Sequence, residues 1–397
     1  MPRLGQRDFL PSSQKRRSQA IRERETSVSV ANPGSNKVAD FYDIQDALNA
    51  VNKIGGGSVL VNPGNYYIKK SLKVYGNTTL EGLTLNSCIL DFGNTTFNIE
   101  LEPDAFNINI NNLGIHNCRN TDGAIVGRGI VDLEMNWLEF INNKNGADIF
   151  FEKTTNNFCA NIFINNCQSI KCNDFIAADS ASQFANVSAI KNCSMESGTG
   201  YAAKNISQFS ITGLDVRSLE STIVNSAFFG DFSFSTISNS TLLYDDNVTL
   251  STYLADFNNT NNFRFINNFV NVDGSGFSGI LDFNNSNNNV IAGNILLSGL
   301  GSSDDLIFLN NSSDFNAITG NYVDATDASG ADALKITTGD QNVITGNSLY
   351  GGSAGTTYGV NVTDSDSDFN KIGNNILFGN TADTQDSGTS TSITDNV

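Results

Sequence analysis

The sequence predicts an all-β fold: a single-stranded right-handed parallel β-helix of about twelve coils, opened by a short N-terminal capping helix. Three observations predict it. A four-residue phrase recurs as Ile291-Ala-Gly-Asn294, Ile318-Thr-Gly-Asn321, Ile344-Thr-Gly-Asn347 and Ile372-Gly-Asn-Asn375, at steps of 26 to 28 residues. Traced backwards, its first position is apolar in all twelve occurrences: Leu80, Ile110, Met135, Ile164, Ile190, Ile211, Ile237 and Phe265 precede the four isoleucines. Its third position is Gly or Asn in eleven of twelve, and these residues enter the left-handed backbone region most easily. A strand that ends, bends at one such residue and restarts, once per coil of about 27 residues, is a stacked solenoid.

The fourth position should point inward and stack on its equivalent in the next coil. It holds Leu83, Leu113, Leu138, Cys167, Cys193 and Leu214 in the first half. In the second half it becomes an Asn stack: Asn268, Asn294, Asn321, Asn347 and Asn375. A buried amide without partners costs roughly 1–3 kcal/mol, so these side chains must bond along the stack and to the bend backbone.

Taken in order, residues 1–36 read as a basic arm. Arg3, Arg7, Lys15, Arg16, Arg17, Arg22 and Arg24 outnumber Asp8, Glu23 and Glu25, and apolar residues are too few for a core. Residues 37–74 hold the cap and first strands. Asp43 can cap a helix over 43–54, with Ile44, Ala47, Leu48, Val51 and Ile54 on one face, and Gly55-Gly56-Gly57 stops it. An open solenoid end exposes its hydrophobic cross-section, which this helix would cover. Ser58 to Val61 then reads as the first strand and Asn62-Pro63-Gly64-Asn65 as a turn. Residues 75–380 are the coils, and 381–397 a polar C-terminal tail.

The net charge of −18 argues against nucleic acid as a partner for the body. No apolar run marks a signal peptide in the first 30 residues, and none approaches a membrane span. Cys167 and Cys193 fall on the inward stack, where thiols behave as small hydrophobes.

The run Asp43-Ile-Gln-Asp-Ala-Leu-Asn-Ala-Val51, then Gly55 to Ile68 and Thr78-Thr-Leu-Glu-Gly82, resembles the opening of the pectate-lyase-like β-helix superfamily. It is similar in particular to the variety found in bacteriophage tailspikes. The superfamily hosts lyases, hydrolases, epimerases and binding proteins, so the resemblance implies fold more firmly than function. The polygalacturonase pattern is not met. Asn120-Thr121-Asp122 is present, but the only histidine, His116, lies in Gly-Ile-His-Asn, and Gly-His-Gly and Arg-Ile-Lys are absent.

One irregularity draws a candidate site. Trp137, the only Trp, is the one bend residue that is neither Gly nor Asn. Regular alternation from inward Met135 sends Asp132 and Glu134 outward on one face, about 7 Å apart. That is near the roughly 6.5–9.5 Å of an inverting glycosidase pair. Asp132 and Glu134 are the candidate catalytic carboxylates, with Trp137 and Arg128 as substrate-binding residues; the competing reading is a solvated strand face with one packed Trp. Asp364-Ser-Asp366-Ser-Asp368 lacks the Gly and Glu of a calcium loop, so no metal or other cofactor is expected.

These features lead to a virion appendage, tailspike- or fibre-like. The arm of residues 1–30 would dock on other virion proteins, and the body would form a homotrimer that meets host surface polysaccharide. A glycoside hydrolase or polysaccharide lyase of the same fold is the second reading, and a bacterial surface adhesin the third.

Overall fold

The computed structural model describes residues 27–397 apart from 33–38, 85–86, 156, 180–187, 219–226, 245–252, 274–277, 300–304, 329 and 380. Most of the basic arm therefore lies outside the described residues. The chain winds through three sheets in turn, sheet 1 of 15 strands and sheets 2 and 3 of 13 each, and every described strand pair is parallel. Each strand pairs with its equivalents one coil before and one coil after.

The apolar first position of the repeated phrase forms an unbroken inward row on sheet 1. Leu80 pairs with Ile110, Ile110 with Met135, and Met135 with Ile164. The row continues without slippage to Ile344 and Ile372. Register is this firm because a one-residue slip would turn the whole apolar set outward. Facing rows from the other sheets complete the bore, and its centre is aromatic: Phe257 lies 4.6 Å from Phe263 and 4.9 Å from Phe283, centroid to centroid. Eleven of the twelve bend residues adopt φ of 51° to 68°, Trp137 among them at 56°.

Three details differ from the sequence reading. The solenoid begins before residue 37: Ser27–Val30, assigned to the arm, pairs in parallel with Gly57–Val61. Its Val28 and Val30 side chains supply the apolar alternation that the rest of the arm lacks. Leu83 is exposed rather than inward, because this coil turns more widely there; Cys88 takes the buried place and donates its thiol to Val61 O. Residues 381–397 include two further strands, Ala382–Asp386 and Ser392–Thr394, and Ile393 continues the sheet 1 row beyond Ile372. Backbone ladders need no apolar side chains, so composition alone hid this last coil.

Helix α1 (Ile44–Lys53) closes the N-terminal end with Ile44, Ala47, Leu48 and Val51 buried. Asp43 caps it by accepting from the N–H groups of Gln45 and Asp46 at 2.7 and 3.1 Å. Gln45 fixes it to the rod, donating to Lys73 O and accepting from Lys73 N. No described helix is long and apolar enough to cross a membrane.

Candidate functional site

Asp132, Glu134 and Trp137 are all exposed, Trp137 at the bend from sheet 1 to sheet 2 and Asp132 at the other end of the same sheet 1 strand, Val131–Asn136. Asp132 is not in regular alternation. Its φ is 56°, and the register passes from Val131 to Leu133 without pairing it. It accepts from Asn161 Nδ2 at 2.7 Å, and Glu134 accepts from Asn136 Nδ2 at 3.0 Å. Trp137 lines a shallow depression of about 220 Å³ with Glu139, Gln168 and Ser194, and neither Asp132 nor Glu134 lines it. Arg128 is committed elsewhere: its Nε donates to Glu152 at 2.9 Å and its Nη2 to Asp122 at 3.0 Å. The structure thus keeps the two carboxylates on one surface but brings neither Arg128 nor the Trp137 depression to them.

A second constellation lies on the outer face of sheet 3. Its middle row reads Lys204, Phe229, Asp256, Asp282, Phe308, Lys335 in six successive coils, each a direct register partner of the next. Two carboxylates stand at the centre, an aromatic ring on each side, and a lysine at each end. The rings are buttressed. Tyr201 lies 5.2 Å from Phe229, and Tyr253 stacks on Phe308 at 6.0 Å with 14° between planes. Lys335 sits 5.9 Å from the Phe308 ring centre and bridges Asp305 at 3.0 Å. Gly279 permits the arrangement, since a Cβ there would meet the Tyr253 ring at 2.5 Å and Asp305 O closer still.

Burial pushes the Asp282 carboxyl up to about 7, and the Asp256 charge beside it adds to the rise. Burial also raises Asp256, against a 2.6 Å bond from Asn258 Nδ2. Asp282 accepts from Asn310 Nδ2 at 2.8 Å. Next along the face, burial raises Asp332 to about 6, opposed by the Asn361 amide that donates to it at 2.6 Å and reinforced by Asp305. Asn310 Oδ1 and Asn361 Oδ1 are buried and accept no hydrogen bond.

Adjacent parallel strands lie about 4.8 Å apart, so Asp256 and Asp282 present carboxyls near the roughly 5–5.5 Å of a retaining glycosidase pair. One of them is poised to hold a proton near neutrality while the other is less buried, the division of labour that acid and nucleophile require. Sequence reading missed this row. The sheet 3 strands end in Asn bends of their own, Asn259, Asn285 and Asn311 at φ of 55°, 50° and 48°, but the sheet 2 to sheet 3 connections before them vary in length, which hides their register from a phrase read on sheet 1 alone.

Asp364, Asp366 and Asp368 do not converge: Asp364 accepts from Asp366 N and Asp368 from Thr389 N. Among the described residues, no three His, Cys, Asp or Glu side chains group to hold a metal ion.

No protein-family model matches the chain, and no curated protein does. Solved structures do. The N-terminal fragment of bacteriophage Phi29 gene product 12 superposes with a TM-score of 0.57 at 11% identity, over 97% of this chain and 73% of that one. The A-module of the Azotobacter vinelandii mannuronan C-5 epimerase AlgE4 gives 0.56 at 15% identity, over 88% and 94%. Tailspike protein 3 of bacteriophage CBA120 gives 0.54 at 14% identity, over 89% of this chain and 58% of that one. At these identities the likeness is one of fold. The chain is a right-handed parallel β-helix of the kind seen in those tailspikes and epimerase modules.

Proposed function

We propose that this chain is a virion appendage that holds a surface polysaccharide along the outer face of sheet 3. The observation that carries this reading is the row Lys204, Phe229, Asp256, Asp282, Phe308, Lys335. Half-buried rings separated by acceptors suit a saccharide, whose apolar faces alternate with hydroxyl edges. A row spanning about 24 Å along the rod takes several sugar rings end to end. The shared fold with a phage tailspike, and with a module of an enzyme named for mannuronan, supports the reading. The basic arm within residues 1–30 docks on other virion proteins, and the appendage works as a homotrimer. The Asp132, Glu134 and Trp137 patch is the competing glycan face.

A second reading, cleavage of that polysaccharide, is favoured by the Asp256 and Asp282 pair. Asp282 would protonate the glycosidic oxygen while Asp256 attacks the anomeric carbon. The test is an immobilised panel of bacterial capsular and O-antigen polysaccharides, probed with the full chain and assayed for released reducing ends. Binding without release supports the appendage reading alone; release that Asp282→Asn abolishes supports the second. No binding to any polysaccharide in the panel counts against both.

A further inference from the structure

The outer face of sheet 2 changes character along the rod. In the early coils its first row is polar, with Gln168, Ser194, Asp215 and Thr241 as successive partners. The same row then becomes Phe269, Ile295, Tyr322, Ser348 and Ile376. Its four large residues are 36% to 50% exposed. Across the bend, the outer face of sheet 1 carries small side chains, Ala292, Thr319 and Thr345 beside the corner and Val290, Ala317 and Val343 beyond them. The corner between them is Gly293, Gly320 and Gly346, and a Cβ on Gly346 would meet nothing within 4 Å. A row of large side chains and a row of small ones thus flank a bare corner.

Two features select the occupant. The chain carries a net charge of −18, and like-charged bodies associate most easily where neither presents charge; Phe269, Ile295, Tyr322, Ser348 and Ile376 carry none near neutral pH, nor do Val290, Ala317 and Val343, whose row is bounded by the cations Arg264 and Lys371. The surface also repeats once per coil, about every 4.8 Å. Only a partner with the same repeat fits knob to gap at every step, and a parallel second copy has that repeat by construction.

We infer that neighbouring copies of this chain pack side by side and parallel, the Phe269, Ile295, Tyr322 and Ile376 row of one seated on the Val290, Ala317 and Val343 row of the next. Such a contact is heterologous, which excludes a two-fold pair and gives a closed ring where the rotation between copies closes, as a homotrimer requires. The inference rests on the homotrimer in the reading above and assigns its contact face. Four large side chains make a smaller patch than the roughly 800 Å² per partner of a standard interface, so assembly is expected to depend on concentration.

The experiment is sedimentation velocity of the full chain across micromolar concentrations, with Ile295→Asp, Tyr322→Asp and, as a control in the polar coils, Ser194→Asp. Wild type and the control should associate. The two face variants should sediment as monomers with unchanged thermal melting, because both side chains are exposed. Mixing separate Tyr322→Cys and Val343→Cys chains with a short bismaleimide should cross-link the two variants to each other and neither to itself; the native cysteines are buried. A wild type that stays monomeric overturns both the face and the homotrimer. Association that survives Ile295→Asp, or cross-linking of Tyr322→Cys to itself, overturns the face alone. Polysaccharide binding by monomeric Ile295→Asp tests the glycan reading independently.

Discussion

Asn321 Oδ1 accepts two hydrogen bonds from Asn294, one from its backbone N–H at 3.0 Å and one from its Nδ2 at 2.9 Å. The same amide then donates to Ile291 O and to Asn347 Oδ1, at 2.9 and 3.0 Å. Each coil thereby satisfies the bend of its neighbour. The stack runs from Asn268 through Asn294, Asn321, Asn347 and Asn375 to Asn396. A parallel ladder of Asn289, Asn316, Asn342 and Asn370 does the same at the corner between sheets 3 and 1.

Asn321→Leu should destabilise the chain by about 3 kcal/mol, because inside the bore it removes the acceptor of the Asn294 backbone N–H, one of the two bonds of Asn294 Nδ2 and the side-chain donor to Ile291 O. The unfolding midpoint in denaturant measures it. An unchanged midpoint would mean the stack contributes nothing.

This stack shows what the sequence made legible and why. Asn268 to Asn375 recur in a fixed phrase because one bend geometry and one inward bond pattern are reused in every coil. The Ile and Asn rows, the bend positions and the helix at Asp43 could all be read from residues. The candidate site was legible only in part: Asp256 and Asp282 share a repeated phrase, Asp-Phe-Asn-Asn at 256–259 and 282–285, but nothing in that phrase marks them as a site. Their chemistry comes from Tyr253, Phe308 and burial, which only the coil register brings together. Asp132 misled for a related reason: alternation was assumed through a residue whose φ is 56°.

Trp137→Asn should stabilise the chain by about 1 kcal/mol. A bulky residue at φ 56° carries strain that Asn tolerates, and Trp137 is 48% exposed, so little packing is lost. Thermal melting decides the sign. A lower melting temperature would show that the indole is held by contacts worth more than the strain.

Asp148 lies inside the bore, fully buried, accepting from Asn143 Nδ2 at 2.9 Å and Ser169 Oγ at 2.5 Å. Burial raises it to about 7. A folded-state value above the unfolded one means the native state takes up a proton between about 4 and 7, so stability rises as pH falls through that window. Asp148→Asn should therefore stabilise the chain at about pH 8 and do less at about pH 5. Denaturant midpoints at the two pH values test the sign. A larger gain in acid would contradict it.

The most direct test of the central claim is affinity for a polysaccharide that the wild-type chain binds, compared between Phe308→Ala on sheet 3 and Trp137→Ala beside sheet 1. If the glycan lies along the Phe229 to Phe308 row, Phe308→Ala weakens binding at least tenfold, about 1.4 kcal/mol, while Trp137→Ala leaves it unchanged. Loss of binding in Trp137→Ala with full affinity in Phe308→Ala would contradict the account and move the site to the face of Asp132 and Glu134.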